Sequence, residues 1–367
     1  MKILEVFGEP ISTGGQEMFV QNVITHLNKK NLNIDLLTPY YCDNNIYKDL
    51  MISEGVRIYS LGLPFNPGGI RFNLLKPLKS FLSKNHYDVV HIHSGSISVL
   101  AFVAYVARCC GVKKIVVHSH SAGEKNLKYF FIKMFSNPIM LFCPTIYCAC
   151  SKIAGERKFP SRITKKQLKI VKNGVDLKKF SFDNLKRCEY REKYGIKPDE
   201  IVIGHIGRFS YVKNHVFLIE IIKQMIKRNI NAKLVLIGSG ELYQEIKEIV
   251  RNEILEKSVL FIGSVPNVND YMHMMDVFVL PSHWEGLPIV GIEAQANGLP
   301  TIVSENVSYE LDLTPSVIHI SLTYIEKWCD TIIESAKKGR NNNYEVLCLQ
   351  GYDINQTAEV VRNIYMS

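Results

Sequence analysis

A chain of 367 residues is long enough for two domains, and its 47% hydrophobic and 22% charged residues are typical of a globular rather than a disordered protein. No stretch of about 18 apolar residues occurs, and the first residues lack the apolar core of a secretory signal, so we expect a cytoplasmic protein without a membrane-spanning helix. Residues 1–172 contain 23 Lys and Arg against 10 Asp and Glu, whereas residues 173–367 contain 21 against 25, which predicts an anionic partner for the first half, either nucleic acid or an anionic membrane surface.

Short apolar runs alternate with segments of helical spacing along the first half of the chain. Residues 2–7 predict a first strand and residues 17–27 a first helix. Further strands are predicted at residues 34–37, 56–61, 89–93 and 114–118, and further helices at 74–82 and 99–110. This alternation at short spacing predicts a doubly wound parallel sheet.

The same alternation restarts after turn residues at 173–176. Residues 177–186 are polar, and we expect them to be irregular. Strands are then predicted at residues 201–206, 234–237, 259–262, 277–281 and, as the last strand, 301–303, and helices at 216–227, 242–251, 268–274 and 288–297. Residues 357–366 have the apolar spacing of a final helix.

The predicted fold is therefore α/β, with two Rossmann-like doubly wound parallel-sheet domains facing each other across a cleft. We place an N-terminal domain at residues 1–176 and a C-terminal domain at 177–345. The final helix, within 346–367, is expected to pack back on the N-terminal domain. In such folds ligands bind at the carboxyl ends of the strands.

The strongest chemical signal follows the predicted strand at residues 277–281. A loop carries Glu285 and Gly286, and a helix is predicted to begin at Pro288, because proline is favoured at a first helical position. Free backbone N–H groups at such a helix start favour a phosphate, and a glycine lets the backbone approach it closely. These N–H groups belong to Leu287, Ile289 and Val290. Glu293 lies within the helix, so the two glutamates can contact different parts of one ligand; the alternative is an ordinary acidic helix cap.

Two further strand ends carry candidate ligand contacts. Arg208 and Lys213 follow the strand at residues 201–206, where two such cations can neutralise a pyrophosphate without a metal; the alternative is a solvated surface loop. Gly238 and Gly240 follow the next strand and indicate a tight turn or a ligand contact. Gly15 lies between the first strand and helix, but the third glycine and downstream acid of a dinucleotide-binding fingerprint are missing, which disfavours a nicotinamide dehydrogenase.

Four histidines lie in pairs at two strand ends. His91 and His93 share one face of a strand, as do His118 and His120, because residues two apart in a strand point the same way. Four histidines could bind a metal, but no carboxylate occurs at a fixed spacing, and we expect none. We expect His91 and His93 to be structural and His118 or His120 to reach the cleft as a neutral hydrogen-bonding group. The nine cysteines have no metal-ligand spacing and are expected to be reduced thiols.

Taken in order, these motifs resemble those of the GT-B fold glycosyltransferases of family 4, especially those that build bacterial capsular and exopolysaccharides. The resemblance covers nearly the whole chain, and two glutamates eight residues apart in a loop–helix context are its most specific element. The shared motifs are Gly14-Gly15-x-Glu17, His-Ile-His at 91–93, His-Ser-His at 118–120, Asn173-Gly174-Val175-Asp176, Gly207-Arg208 with Lys213-Asn214-His215, Gly238-x-Gly240, and Glu285 to Glu293 with the following Ala294 to Pro300.

The resemblance implies a role for each matching residue. Arg208 and Lys213 would hold the donor diphosphate, Glu293 the ribose hydroxyls, and Glu285 the donor sugar near its 3-hydroxyl. The histidine of the N-terminal domain falls at His120, with His118 a neighbouring candidate. The remaining implied donor or substrate contacts are Gly15, Asn173, Gly238, Val265, Gly286, Leu287, Pro288 and Ile289.

The family further implies a retaining, metal-independent transfer without a cofactor. The donor would be a nucleotide-diphosphate sugar, a UDP-hexose or UDP-N-acetylhexosamine, and the acceptor a lipid-linked saccharide in cell-surface polysaccharide synthesis. The basic first half would then dock on the anionic inner membrane surface around the aromatic residues Tyr129, Phe130, Phe131 and Phe135; alternatively these form the core face of a helix. The lysines proposed for docking are Lys125, Lys128, Lys133, Lys158, Lys165 and Lys166.

The sequence leaves two alternative functions open. A nucleotide-sugar epimerase of the same fold would need acid and base groups around C2 of the sugar. A non-catalytic sugar-nucleotide-binding protein is disfavoured by the intact set of cations and glutamates. We expect no nucleic-acid partner, because the aromatic and basic strand pattern of such a module is missing.

Overall fold

A computed structural model describes residues 1–12, 14–66, 71–121 and 127–367, apart from the side chains of Leu127 and Lys128. The chain forms two compact units. The first comprises Met1–Gly174 with Ile354–Ser367, and the second Val175–Asp353. Within the described part of the chain, no helix combines the length and apolar character needed to cross a bilayer.

Each unit contains one sheet, and every pairing between its described strands is parallel. The strand order is β3-β2-β1-β4-β5-β6-β7 in the first unit and β10-β9-β8-β11-β12-β13 in the second. The strands are β1 Lys2–Phe7, β2 Asn33–Thr38, β3 Arg57–Ser60, β4 Val89–Ser94, β5 Lys114–Ser119, β6 Ile146–Ala149, β7 Leu168–Ile170, β8 Ile201–Ile206, β9 Ala232–Ile237, β10 Val259–Gly263, β11 Val277–Leu280, β12 Thr301–Ser304 and β13 Val317–Ile320.

Helices connect the strands and cover both faces of each sheet. The α-helices are α1 Gly15–His26, α2 Asn45–Ser53, α3 Leu75–Lys84, α4 Ile97–Cys109, α5 Leu127–Phe142, α6 Lys152–Lys158, α7 Ser161–Lys166, α8 Leu177–Phe180, α9 Asn184–Lys193, α10 His215–Lys227, α11 Tyr243–Asn252, α12 Val268–Met274, α13 Ile289–Ala296, α14 Ile325–Lys338, α15 Tyr344–Leu349 and α16 Ile354–Met366. Short 3₁₀ turns occur at Phe72–Leu74, Tyr211–Lys213 and Tyr309–Leu311. The predicted α/β fold with two parallel sheets is confirmed.

The alternation of side chains along β1 shows how the first sheet separates two apolar layers. Leu4 and Val6 pack with the apolar residues of α3 and α4, whereas Ile3 and Phe7 pack with those of α1 and α16. Because side chains two apart in a strand share a face, Glu5 must point into the layer beneath α1 and α16. The sheet therefore buries an acidic side chain on its α1/α16 face.

The last helix belongs to the first unit although it follows the whole second unit in the chain. α16 packs against α1, and the Lys114 ammonium donates to the backbone oxygen of Tyr365 at 2.6 Å. At Gly174 an added Cβ would lie 2.8 Å from the Cα of Ile354, so the chain leaving the unit and the chain returning to it pass too closely for a larger residue. The observed unit boundaries lie two and eight residues from those predicted at 176/177 and 345/346.

Several elements were not predicted: three short strands, two helices in a segment expected to be irregular, and the further helices α2, α5, α6, α7, α14 and α15. Residues 177–186, predicted to be irregular, form α8 and the start of α9, because the carboxylates of Asp176 and Asp183 accept backbone N–H groups at the two helix starts. The strand at residues 301–303 was predicted to be the last, but β13 follows it, and β6 and β7 were not predicted. These strands have only three or four residues, too few to show a periodicity.

Candidate functional site

The second sheet has a crevice position at its carboxyl edge, between β8 and β11. From β8 the chain crosses to β9 on one side, whereas β11, β12 and β13 lie on the other. In open parallel sheets a ligand binds where the strand order reverses in this way. The loops that follow β8 and β11 therefore flank the expected site, and they carry the predicted cations and glutamates.

The loop after β8 holds its two cations in different surroundings. The Arg208 side chain is 62% exposed, and its Nε donates to the Glu241 carboxylate at 3.0 Å. Lys213 ends a 3₁₀ turn and forms an ion pair with the Glu285 carboxylate, with both side chains only 17% exposed. The structure thus brings Lys213 and Glu285 together, whereas Arg208 contacts a glutamate that the sequence reading did not single out.

The Glu285 loop is clamped on both sides by backbone hydrogen bonds. On one side the His283 N–H donates to the Val212 oxygen at 2.8 Å, next to the turn that carries Lys213. On the other side the Ser308 N–H donates to the Glu285 oxygen at 3.1 Å. The Ser282 hydroxyl donates to the Glu285 carboxylate at 3.2 Å. This loop is therefore fixed before any ligand binds.

The start of α13 differs by one residue from the prediction. Pro288 is the N-cap, with φ −71° and ψ 120°, and Ile289 is the first helical residue, so the predicted first helical position was wrong by one. Among the described residues, no protein hydrogen bond is made by the backbone N–H of Leu287, Ile289 or Val290. At Gly286 an added Cβ would meet nothing within 4 Å. The fold itself does not require that glycine, and the N–H groups beside it are free to bind an anion.

Glu293 lies inside α13 with 5% of its surface exposed. Burial, opposed only by the charge of Lys179, raises the pKa of the Glu293 carboxyl to about 7. No described residue donates a hydrogen bond to it. A buried acidic side chain to which no described protein group donates a hydrogen bond is suited to accept hydrogen bonds from the hydroxyl groups of a ligand.

Gly238 and Gly240 are explained by packing within the protein. Gly238 has a φ of 139°, and an added Cβ would lie 2.0 Å from the Gly207 backbone oxygen. At Gly240, with a φ of 159°, it would lie 2.4 Å from the Phe209 oxygen. The two glycines allow the loop after β9 to touch the loop that carries Arg208. Val265, which follows β10, is half-buried against the core of this unit.

The first unit contains a buried polar cluster on the α1/α16 face of its sheet. The parallel register pairs Glu5 with His91, and His93 with His118. His93 Nε2 lies 2.6 Å from the Glu5 carboxylate, and His91 Nδ1 lies 2.8 Å from the hydroxyl of Tyr365. Burial alone would raise the pKa of the Glu5 carboxyl, but the charge of His91 and the hydrogen bonds of both histidines lower it far below its usual range.

The two histidines at the end of β5 have different positions. His118 is fully buried, stacked on His91 and edge-on to Phe19, and no described residue forms a hydrogen bond with either of its ring nitrogens. His120 is partly exposed, and its Nε2 lies 2.8 Å from Nδ1 of His93. Burial lowers the pKa of both far below the usual value, so each ring is neutral. Of the two, only His120 reaches the protein surface.

Three of these histidines could in principle share a metal ion. The nearest ring nitrogens of His91, His93 and His118 lie within 4.8 Å of one another. However, both nitrogens of His93 already take part in hydrogen bonds, to Glu5 and to His120. A metal would have to break one of them, so the arrangement fits a hydrogen-bonded cluster better than a metal site.

Two predicted contacts lie elsewhere in the first unit. Gly15 is the exposed first residue of α1, at the carboxyl edge of β1. Asn173 is buried just before the boundary between the units, and its side-chain oxygen accepts no hydrogen bond from the described part of the chain. Sequence reasoning missed Glu5 and Tyr365. The available signal was an acidic residue inside the otherwise apolar run of β1.

Comparison with known proteins supports a common origin over the whole chain. Family models match at residues 13–179 (Glycosyltransferase Family 4) and 186–312 (Glycosyl transferases group 1). The glycosyltransferase EpsF of Bacillus subtilis is 33% identical over 97% of this chain and 94% of its own length. A UDP-Gal:α-D-GlcNAc-diphosphoundecaprenol α-1,3-galactosyltransferase of Escherichia coli is 30% identical over 63% of each chain.

Solved structures share the fold. HepE of Anabaena in complex with UDP and glucose superposes with a TM-score of 0.78 at 16% identity, covering 99% of both chains. Its complex with UDP-glucose gives a TM-score of 0.77 at 17% identity, covering 99% of this chain and 98% of the other. The matching family models, the relative that covers nearly the whole length and the two parallel-sheet units agree. The chain belongs to the GT-B fold glycosyltransferases of family 4.

Proposed function

We propose that this glycosyltransferase moves a hexose or N-acetylhexosamine from a UDP-sugar to a lipid-linked saccharide, with retention and without a metal, in the synthesis of a cell-surface polysaccharide. Two relatives support the pathway: the E. coli galactosyltransferase that acts on a diphosphoundecaprenol-linked sugar, and CapH, a capsular polysaccharide biosynthesis glycosyltransferase of Staphylococcus aureus. EpsF supports the glycosyl transfer itself. Structural neighbours bound to UDP support the nucleotide.

One observation carries the proposal. The loops that follow β8 and β11 carry Arg208, Lys213 with its ion pair to Glu285, and the free N–H groups at the start of α13. As the glycosidic bond breaks, negative charge develops on the β-phosphate of the leaving nucleotide. Cations and N–H groups that are fixed beforehand stabilise that charge more strongly in the transition state than in the ground state. No metal is needed to neutralise the diphosphate in this scheme.

The glutamates would hold the remainder of the donor. Glu293 accepts the ribose hydroxyls, and Glu285, already fixed by Lys213 and Ser282, contacts the sugar. When the diphosphate binds, the Lys213 ammonium contacts both the phosphate and the Glu285 carboxylate. In the first unit, His120 contributes a neutral imidazole to the substrate. We assign this contact to His120 rather than His118, because His118 is fully buried.

The proposal is tested with a panel of nucleotide sugars, first without an acceptor and then with polyprenyl-diphosphate saccharides, with products identified by mass spectrometry. Transfer should be abolished in Arg208→Ala and in Glu293→Ala, should persist in EDTA, and should be unchanged in the control Arg251→Ala, an exposed arginine of α11. Thermal unfolding must show that all variants are folded. Wild-type turnover in either site variant, or epimerised donor as the product, would contradict the proposal.

We further propose that the first unit docks on an anionic membrane through α5. Its phenylalanine side chains point to solvent: Phe130 is 62% exposed, Phe135 73% and Phe142 79%. These phenylalanines are therefore not the core face of a helix, whereas Tyr129 is half-buried and its hydroxyl donates to the Arg157 backbone oxygen. A contiguous exposed apolar face beside lysines is typical of helices that lie in the membrane interface. Lys165 and Lys166 are exposed on α7.

The lysines proposed for docking do not all remain candidates. Lys158 is only 2% exposed, with its ammonium 5.0 Å from the centre of the Tyr129 ring, so its assignment to the docking surface was wrong. The Lys133 ammonium donates to the Arg157 backbone oxygen at 2.6 Å. Lys125 and the side chain of Lys128 lie outside the described residues.

Liposome sedimentation tests this docking. Vesicles containing anionic lipid should bind the protein, binding should weaken as salt rises, and Phe135→Ser should reduce it. Leu349→Ser, at an even more exposed apolar position in the second unit, should not reduce it. Equal binding to neutral vesicles, or no effect of Phe135→Ser, would contradict it.

A further inference from the structure

The buried cluster of the first unit contains a continuous chain of hydrogen bonds that ends at His120. The Glu5 carboxylate lies 2.6 Å from Nε2 of His93, and Nδ1 of His93 lies 2.8 Å from Nε2 of His120. Glu5 and His93 are almost fully buried. Nδ1 of His120 is shielded from solvent and has no hydrogen-bond partner among the residues that the structure describes.

The charge of Glu5 determines which nitrogen of each ring carries the proton. A carboxylate can only accept, so Nε2 of His93 must donate to it. The neutral His93 ring then has a lone pair on Nδ1, which accepts the proton of Nε2 of His120. The remaining nitrogen of His120, Nδ1, is left with a lone pair. In a neutral imidazole the hydrogen bond made by one nitrogen determines the role of the other.

Both conditions for this argument are met. Glu5 is ionised, because its histidine neighbours hold the pKa of its carboxyl far below the usual range. His93 is neutral, because burial and the neighbouring His91 lower its pKa to about 4, although Glu5 opposes this. His120 is neutral for the same reason of burial.

We propose that Glu5 and His93 are positioning residues that lock His120 in the Nε2–H tautomer, so that its Nδ1 can only accept a hydrogen bond, and that the group it accepts from is a substrate hydroxyl. The second part rests on the proposed function, and the first does not. An acceptor that is buried without a partner is costly, and a ligand donor removes that cost. The site would therefore discriminate against a sugar that lacks this hydroxyl.

The C-terminal helix completes the arrangement. The hydroxyl of Tyr365, on α16, donates to the second oxygen of the Glu5 carboxylate and also contacts His91. With Tyr365 on one oxygen and His93 on the other, the carboxylate cannot rotate away from His93. The last residues of the chain thus act, through Glu5 and His93, on the tautomer of His120.

The tautomer can be measured directly in the free protein. In protein labelled with ¹⁵N-histidine, long-range ¹H–¹⁵N spectra at about pH 7.5 distinguish protonated from unprotonated ring nitrogens. Signals are assigned by their loss in His93→Asn and His120→Asn. We expect both rings to be neutral. The Nε2–H tautomer should outnumber the Nδ1–H tautomer by more than about ten to one, because hydrogen bonds to a charged group give a bias of this size. A proton on Nδ1 of His120 in the wild type would overturn the proposal, whether or not any variant folds.

Glu5→Gln tests the lock, because an amide can donate as well as accept. The single tautomer of His120 should be replaced by a mixture; an unchanged His120 spectrum would overturn the role of Glu5. Tyr147→Phe is the matched control, because this buried tyrosine of the same unit donates to the Met140 backbone oxygen outside the cluster. It should leave the histidine spectra unchanged.

The substrate part is measured separately, with UDP-glucose and UDP-galactose as probes. In Glu5→Gln, kcat/KM for hydrolysis or transfer of the accepted donor should fall at least about tenfold, while the Kd for UDP measured by calorimetry stays unchanged. If Glu5→Gln gives a mixture of His120 tautomers but unchanged turnover, the proposed substrate contact of His120 is refuted. The role of Glu5 in fixing the tautomer is then still supported. If the wild-type protein does not bind UDP, the proposed function is refuted, independently of the tautomer result.

Discussion

Replacing Glu293 with glutamine should make the stability of the second unit less dependent on pH. The folded state holds the pKa of this carboxyl at about 7, because the side chain is buried in α13 and only Lys179 opposes the effect, whereas the ordinary value is 4.5. The unfolded chain therefore releases its proton at lower pH than the folded one. Stability that depends on the protonated carboxyl is fully present below about pH 4.5 and is lost as pH rises through about 7.

The magnitude follows from the size of the shift. A difference of about 2.5 pKa units at about 1.4 kcal/mol each amounts to roughly 3 kcal/mol, of which about 2.5 kcal/mol is lost between pH 5 and pH 8. The wild type should thus lose about 2.5 kcal/mol relative to Glu293→Gln over this range. Glutamine is nearly isosteric and does not titrate, so all other titrating groups cancel in the comparison.

Both tryptophans of the chain, Trp284 and Trp328, lie in the second unit, so urea unfolding followed by tryptophan fluorescence reports on that unit. Free energies of unfolding are compared for the two proteins at about pH 5 and about pH 8. Parallel pH dependence of the wild type and the variant would refute the reasoning, because Glu293 would then titrate normally in the folded state. Saturating UDP should reduce the difference if ribose hydroxyls contact this carboxylate.

Three other predictions concern the same unit. Gly238→Ala should destabilise it by about 1–3 kcal/mol, because the added Cβ would lie 2.0 Å from a backbone oxygen at a φ of 139°, whereas Gly286→Ala, with nothing within 4 Å, should not; equal losses in urea unfolding would contradict this. Lys213→Met should weaken UDP binding measured by calorimetry at least about tenfold. The double variant Lys213→Met/Glu285→Gln should lose less free energy of unfolding than the sum of the losses in the two single variants. Additive losses would argue against a coupled ion pair. Asp276→Asn should cost about 3 kcal/mol, because Arg187 and Arg191 on α9 both pair with this carboxylate; a loss below about 1 kcal/mol in the same assay would count against it.

The fold could be predicted because its strands are buried on both faces. Strands such as β9 and β11 form apolar runs that stand out against the amphipathic helices between them. The edge strands β7 and β13 could not be predicted, because three or four half-exposed residues look like a loop. The helices α8 and α9 were missed because Asp176, which caps α8, was taken as a turn residue, and Asp183, which caps α9, as part of an irregular polar segment. An aspartate makes similar local hydrogen bonds in a turn and at a helix start.

The candidate site in the second unit could be predicted because its residues are close together in the sequence. Arg208 and Lys213 lie in one loop, and Glu285 and Glu293 in one loop and helix. The pairing of Lys213 with Glu285 follows from the strand order, with β8 next to β11, which the sequence does not give. The error at Lys158 has a related cause, since a basic residue in a basic segment was assumed to be exposed, and the structure buries it.

The buried polar cluster of the first unit could not be predicted from local sequence patterns, because its residues come from both ends of the chain. Parallel register places Glu5 beside His91, and α16 brings Tyr365 to the same carboxylate, although 360 residues separate the two in sequence. A buried carboxylate is tolerated only when several donors reach it, so each of these contacts depends on the others. Under the proposed function the two units would use carboxylates in a similar way: Glu285 would hold the Lys213 ammonium for the departing phosphate, and Glu5 would hold, through His93, a neutral ring for a hydroxyl. In both cases the carboxylate acts by restricting what its neighbour can do.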